Sequence, residues 1–230
     1  MSSILWNGTA LNALGIVVDR IPPIVKGKKR IETYDVPGRN GFLAVDNGTY
    51  EPFVLSLECH MKTNEDFDTV KAALDGYGTL SLDNGVRQYT AIVNNQIDFE
   101  KVRQAPFRRF PLQFLVNPIA VETAVNTVTV TSSPTTINIS DATAEMYPII
   151  TLEGSDLLQI TFNYSSFTFT ADSQKSYTFQ CDLKEVYDND NLNAAALMNG
   201  DFPVLKPGSN TISYTGNVTS FTVQYSKAYL

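Results

Sequence analysis

Between residues 53 and 61 the chain alternates without a break. Phe53, Leu55, Leu57, Cys59 and Met61 take every second place, with Val54, Ser56, Glu58 and His60 between them. Side chains leave a β-strand on opposite faces in turn, so this pattern buries one face and wets the other. Phe110, Leu112, Phe114 and Val116 repeat it. Turn signals stand between such runs. Asp83-Asn84-Gly85 separates Leu80-Ser81-Leu82 from the run 86–92, and Asp46-Asn47-Gly48 separates 42–45 from 50–57. Both suit the primed turns of two-residue hairpins, which need positive φ. The spacing predicts strands, in antiparallel pairs.

One stretch reads differently. Thr63-Asn64-Glu65-Asp66 supplies caps and acids for a first turn, Phe67, Val70 and Leu74 share a helical face, and Gly76 ends the run. A helix is expected over 64–75, lying on one face of the sheet. Residues 20–30, with Pro22 and Pro23 followed by Lys26, Lys28, Lys29 and Arg30, suit an extended arm or loop better than a ladder strand.

Val116-Asn117-Pro118 marks the expected end of a first domain, residues 1–120. A polar joining hairpin follows at 121–145, with strands at 127–130 and 136–139 linked through Ser132-Ser133-Pro134. Residues 146–230 then carry short strands at 149–152, 158–163, 166–170, 176–183, 211–214 and 219–225, separated by Gly, Asn, Asp and Pro. Many short strands with such punctuation argue a sandwich or jelly roll. Residues 191–198 fit a short helix or a loop equally well. The fold class is all-β with one short helix.

Charge divides the chain at the same place. Through Ala120 there are 13 Lys and Arg against 13 Asp and Glu, whereas the remainder has 4 lysines against 11 acids and carries the whole net charge of −7. An acidic half repels phosphate backbones, so sequence-specific nucleic-acid binding is not expected there. The basic run Lys26, Lys28, Lys29, Arg30 is short and lacks interleaved aromatics, which fits an exposed arm kept soluble, or one reaching an acidic neighbour, better than a nucleic-acid site. No run of apolar residues is long enough to cross a bilayer as a helix. The N-terminal residues lack the basic and apolar segments of a signal peptide, so synthesis in a cytosol is expected.

Catalytic chemistry is hard to place. His60 is the only histidine. Its neighbour Cys59 points to the opposite strand face, so the two cannot form a nucleophile–base pair. Cys59 and Cys181 stand in strand-like runs and read as buried thiols acting as small hydrophobes. Asp188-Asn189-Asp190-Asn191 resembles the opening of a calcium loop. Leu192, Asn193 and Asn199 then occupy positions where a ligand, the turn glycine and the bidentate glutamate belong, so a solvated loop is expected. Glu153, Glu185 and Asp201 offer carboxylates, but no spacing selects a glycosidase pair. No enzyme, metal or cofactor is expected. Sugar binding is the competing reading, because seven of the eleven tyrosines lie in the second half: Tyr147, Tyr164, Tyr177, Tyr187, Tyr214, Tyr225 and Tyr229. Against it, tyrosine is also favoured for plain sheet packing.

The order of several motifs carries a resemblance. Tyr34-Asp35-Val36-Pro37-Gly38-Arg39-Asn40-Gly41 is followed by Asp46-Asn47-Gly48-Thr49-Tyr50, the strand to Cys59, the helix, and Phe107-Arg108-Arg109-Phe110-Pro111-Leu112-Gln113-Phe114. Further on stand Tyr147-Pro148-Ile149-Ile150-Thr151-Leu152-Glu153-Gly154-Ser155 and the run Met198-Asn199-Gly200-Asp201-Phe202-Pro203, which leads into Pro207-Gly208-Ser209-Asn210. Together they resemble the distal tail (Dit) proteins of long-tailed, non-contractile phages. The resemblance implies a tail-tube-like β-sandwich or barrel that forms a hexameric ring, and a galectin-like C-terminal sandwich. It further implies a virion structural protein in the tail-tip baseplate, joining the major tail protein, tape-measure protein, tail-tip protein and receptor-binding protein, with DNA passing through the channel. Pro22, Pro23, Lys26, Lys28, Lys29 and Arg30 are the candidate inter-subunit arm. The Trp, His and Arg that galectins use are missing from the second half, so the fold would not by itself make it a lectin.

Overall fold

The protein is described by a computed structural model covering residues 3–230 except 21, 24, 63–65, 102–104 and 164. It divides into two compact units, one of residues 1–121 with Leu230 and the other of residues 122–229. The fold is all-β with curled sheets.

In the first unit the strands are β1 (Leu5–Trp6), β2 (Thr9–Ala10), β3 (Ile16–Val18), β4 (Lys29–Asp35), β5 (Phe42–Tyr50) and β6 (Phe53–Lys62). After helix α1 (Phe67–Ala73) come β7 (Tyr77–Ser81), β8 (Arg87–Val93), β9 (Glu100–Lys101) and β10 (Phe107–Glu122). The main sheet runs β2-β1-β7-β8-β10-β6-β3, with β9 also on β10. The alternation works as read: Leu55, Leu57, Cys59 and Met61 of β6 are buried, and Phe110, Leu112 and Phe114 of β10 lie beside them in register. β7 and β8 pair around Asp83-Asn84-Gly85 as expected.

The helix is shorter than the expected 64–75. It begins at Phe67 because Asp66 is its cap: extended itself, it accepts hydrogen bonds from the amides of Asp68 (3.1 Å) and Thr69 (3.4 Å). The Thr69 hydroxyl and these amides hold the Asp66 carboxyl below its usual range. Asn64 and Glu65, expected inside the helix, lie outside the described residues. Val70 and Leu74 seat α1 on the core, and Trp6 Nε1 donates to Ala73 O at 2.8 Å.

Two readings change in this unit. Asp46-Asn47-Gly48 is no hairpin turn. It lies within β5, where the ladder to β4 shifts register between Lys29↔Tyr50 and Ile31↔Asp46. Gly48 has φ +69°, and an αL glycine serves a bulge as readily as a turn. The chain reverses instead at Val36-Pro37-Gly38-Arg39, where Arg39 N donates to Val36 O at 3.1 Å, and Lys29 and Arg30 stand in a ladder strand and not in an extended arm.

In the second unit the strands are β11 (Asn126–Thr129), β12 (Thr135–Ile139), β13 (Ile149–Phe162), β14 (Ser165–Ala171), β15 (Ser176–Gln180), β16 (Glu185–Asp188), β17 (Met198–Gly200), β18 (Gly208–Tyr225) and the two-residue β19 (Ala228–Tyr229). Two long strands replace four expected short ones. β13 and β18 pair along most of their length, with register shifts after Glu153 and after Ser155. Gly154, Asp156 and Gly216, which read as breaks between strands, mark this irregular stretch inside the ladder. β15 and β14 share the other edge of β13, and β16 and β17 extend them. The stretch expected as a joining hairpin is part of this sheet. β11 and β12 both pair with β18, at Thr222–Tyr225 and Gly208–Ile212, and not with each other. Residues 191–198 resolve into a single 3-10 turn, Ala195–Leu197.

Candidate assembly surface

β4 and β5 form a two-stranded sheet of their own, and every residue of β4 is exposed. Its faces follow from the register. Ile31 stands opposite Asp46 and Asp35 opposite Phe42 on one side; Glu32 faces Val45 and Tyr34 faces Leu43 on the other. Phe42 is 63% exposed, and Ile31, Tyr34, Leu43 and Val45 are near half. The hairpin is locally laced. Tyr34 donates its hydroxyl to Glu32 at 2.6 Å, Asn47 Nδ2 donates to the same carboxylate at 3.2 Å, and Lys29 Nζ meets Asp46 Oδ2 at 2.5 Å. An isolated two-stranded hairpin is marginal in water, and this one presents apolar side chains on both faces.

The expected arm leads into that hairpin and is anchored, not loose. Arg20 pairs with Glu58 (3.5 Å), Lys28 with Glu51 (3.6 Å), and Glu51 N donates to Lys28 O at 2.7 Å. Gly27 is buried so closely that a β-carbon there would lie 2.5 Å from Pro118 Cβ. Pro22 is half-buried and Pro23 exposed, whereas Lys26 and Arg30 are exposed and make no ion pair among the described residues. The segment thus aims the hairpin. What reaches out is 29–50.

The chemical candidates become structural parts. His60 lies opposite the buried face of β6, where its Nδ1 is 2.5 Å from Asp19 Oδ1 and its ring packs 5.4 Å from Phe107. The partner is 41 positions away, which alternation within one strand does not reveal. Asp188 is buried and accepts from Lys175 Nζ and from the amides of Asp190 (3.0 Å) and Leu192 (2.9 Å). Lys175 first, then those amides, hold its carboxyl below the usual range. A lysine ammonium thus sits where a calcium loop would need its cation. Among the described residues no group of three or more His, Cys, Asp or Glu is arranged to hold a metal.

Glu153 pairs across to Ser176 and Glu185 to Gln180, at opposite ends of β15 and on opposite sides of it. Their α-carbons are therefore roughly 16 Å apart by strand rise and spacing. A glycosidase pair needs carboxyls within about 5–9.5 Å. Most of the tyrosines serve packing or local hydrogen bonds, and Tyr147 is about half exposed. Tyr177 and Tyr225 are buried, Tyr214 packs on Phe221 at 5.9 Å, Tyr187 donates to Glu185, and Tyr164 lies outside the described residues. Asn210 explains the Pro-Gly-Ser-Asn motif. Fully buried, it accepts from Lys206 N and Asn163 Nδ2 and donates to Lys206 O and Gly208 O. The motif ties a turn through Asn210.

Both cysteines are buried, and desolvation pushes each thiol up to about 12. Thiolate is the reactive form, so native protein at pH 8 should resist alkylation by iodoacetamide and label both sites only after unfolding. Rapid native labelling, read by mass spectrometry, would contradict the burial.

Comparison with family models and with curated proteins finds no match. Solved structures do match. The chain superimposes on the Dit protein of phage SPP1 with a TM-score of 0.80 at 12% identity, covering 100% of both chains. The fold is that of a distal tail protein. That Dit is described as a paradigm of the hub adsorption apparatus in phages infecting Gram-positive bacteria. A chain of the phage P2 baseplate in its activated conformation with Ca matches with a TM-score of 0.53 at 7% identity, over 95% of this chain and 92% of that one. A second P2 baseplate structure, with Sr, gives 0.53 at 8% identity. The Dit-like fold thus spans both units, although so little sequence is shared.

Proposed function

We propose that this protein is the distal tail hub subunit of a long-tailed phage: a virion structural component, not an enzyme, that assembles through its first unit into a closed hexameric ring. The full-length likeness to a Dit protein carries this reading. The β4–β5 hairpin supports it, because a two-stranded sheet with apolar residues on both faces is suited to a neighbouring copy. Pro22, Pro23, Lys26, Lys28, Lys29 and Arg30 form the base of that contact and fix the direction in which the hairpin leaves. The ring joins the major tail protein and tape-measure protein above to the tail-tip and receptor-binding proteins below, and DNA passes through its channel. The second unit, which carries the −7, takes the periphery, where solvent screens charge over about 8 Å. No helix among the described residues is long and apolar enough to cross a membrane.

Light scattering across a concentration series, with negative-stain images, tests the proposal. Ring-shaped particles of six chains are expected, the more so with the tail-tube protein present. Excising residues 31–46 should abolish them while both units stay folded by circular dichroism. A monomer at every concentration, unaffected by tail partners, would overturn the hub reading. Carbohydrate binding by the second unit is the outcome that glycan arrays would expose, and none is expected.

A further inference from the structure

The chain contains five Asn-Gly pairs, at 7–8, 40–41, 47–48, 84–85 and 199–200. A glycine after asparagine leaves the main-chain nitrogen unscreened by any β-carbon, so that nitrogen can approach the side-chain amide carbon before it. The approach requires both groups to turn. In four of the five pairs they are held. Asn7 Oδ1 accepts from Thr79 N at 2.9 Å, while Asn7 N donates to Thr79 O at 2.9 Å. Asn47 Nδ2 donates to Glu32 at 3.2 Å, and Gly48 N donates to Asp46 Oδ1 at 2.9 Å. Asn84 Oδ1 accepts from Ser3 N, and Gly85 N donates to Ser81 Oγ at 2.8 Å. Asn199 stands in β17, in register with Thr168 of β14, and a β-carbon at Gly200 would lie 2.9 Å from Phe167 Cα. The remaining pair differs. Asn40 and Gly41 follow the reversal between β4 and β5, and both are exposed. Neither makes a hydrogen bond among the described residues, and a β-carbon at Gly41 would meet nothing within 4 Å.

We infer that Asn40-Gly41 is a site of self-modification, at which the folded chain converts asparagine to aspartate and isoaspartate with water as the only co-reactant. Gly41 N loses its proton and bonds to Asn40 Cγ; the bond from Cγ to Nδ2 breaks, and the amide leaves as ammonia. The five-membered succinimide that results takes up one water at either carbonyl. Opening at one restores the main chain with an aspartate. Opening at the other carries the main chain through the side-chain carbon, lengthens it by one atom and leaves a free α-carboxylate. Either product places one new negative charge just before Phe42, whose rung with Asp35 is the one nearest the hairpin tip. The other four pairs must first break a hydrogen bond or a ladder, and one such bond slows a reaction by about fivefold. The fold thus selects one pair of five, and the hairpin tip gains charge with age. Nothing in this depends on how copies of the chain assemble.

For the test, full-length protein is incubated at pH 8, native and in denaturant, then digested, and each Asn-Gly peptide is followed by mass spectrometry for replacement of amide by acid. In denaturant all five pairs should convert at comparable rates, since each has glycine next. In the native chain Asn40 should keep about that rate, while each of the others falls by about fivefold or more. Two products should separate by chromatography, both absent from Asn40→Gln, whose longer side chain would have to close a six-membered ring. Conversion should slow at pH 6, because the attacking nitrogen must lose its proton. A native rate at Asn40 that falls as far as those of the held pairs would overturn the inference. So would a modified residue 40 in which no isoaspartate is found.

Discussion

Phe169→Ala is expected to destabilise the second unit by ~3–5 kcal/mol. Phe169 is fully buried on β14, with the Tyr177 ring at 4.7 Å and the Phe179 ring at 4.9 Å, both edge-on. Truncation removes the transfer energy of the ring and leaves a cavity between two aromatic neighbours held by their own strand, β15. A domain of this size has about 5–15 kcal/mol in total, so the loss takes a large share of it. In differential scanning calorimetry the second unit's transition should fall sharply while that of the first keeps its place. Ring formation should survive at temperatures below the lowered transition, because the proposed contacts belong to the first unit. A common fall of both transitions would show that the two units do not unfold independently.

Trp6→Ala is the corresponding substitution in the first unit, again at ~3–5 kcal/mol. Trp6 is almost wholly buried, its ring centroid lies 5.0 Å from that of Phe114, and its indole N–H is donated to Ala73 O. The change opens a cavity at the heart of the core and leaves the carbonyl at the end of α1 without that partner. Trp6→Phe separates the two effects, since it keeps most of the volume and loses only the donor. Chemical denaturation followed by circular dichroism should rank wild type above Trp6→Phe above Trp6→Ala. Equal stability of the three would mean that β1 and α1 are not tied to the core as described.

How far the sequence disclosed this molecule depends on which faces of each strand are covered. β6 and the buried part of β10 were legible because one face is buried and the other wet, which writes alternation into the chain. The β4–β5 hairpin was not, because both its faces are exposed in a single copy and no periodicity results. Residues that supply positive φ misled in a consistent way. Gly48, Asp156 and Gly216 read as turn residues, yet each lies inside a strand. Local conformation is all that such residues encode; whether the chain reverses there is decided by the partner strand. The base of the candidate assembly surface, Pro22 to Arg30, was visible as composition. Its projecting part, β4 with β5, was not.

The placement of β11 has a consequence for the order of events during synthesis. Asn126 at its start meets Tyr225 near the end of β18, 99 positions later. The second unit therefore cannot close its sheet until nearly all of it has left the ribosome, whereas the main ladders of the first, β6 with β10 and β7 with β8, are complete once residue 116 has emerged. Pairings that distant in sequence are slow to form, and N-terminal domains fold first as the chain emerges. The exposed hairpin is thus presented while the second unit is still unfinished. On a polysome, neighbouring nascent chains would carry completed projections side by side before any of them is released.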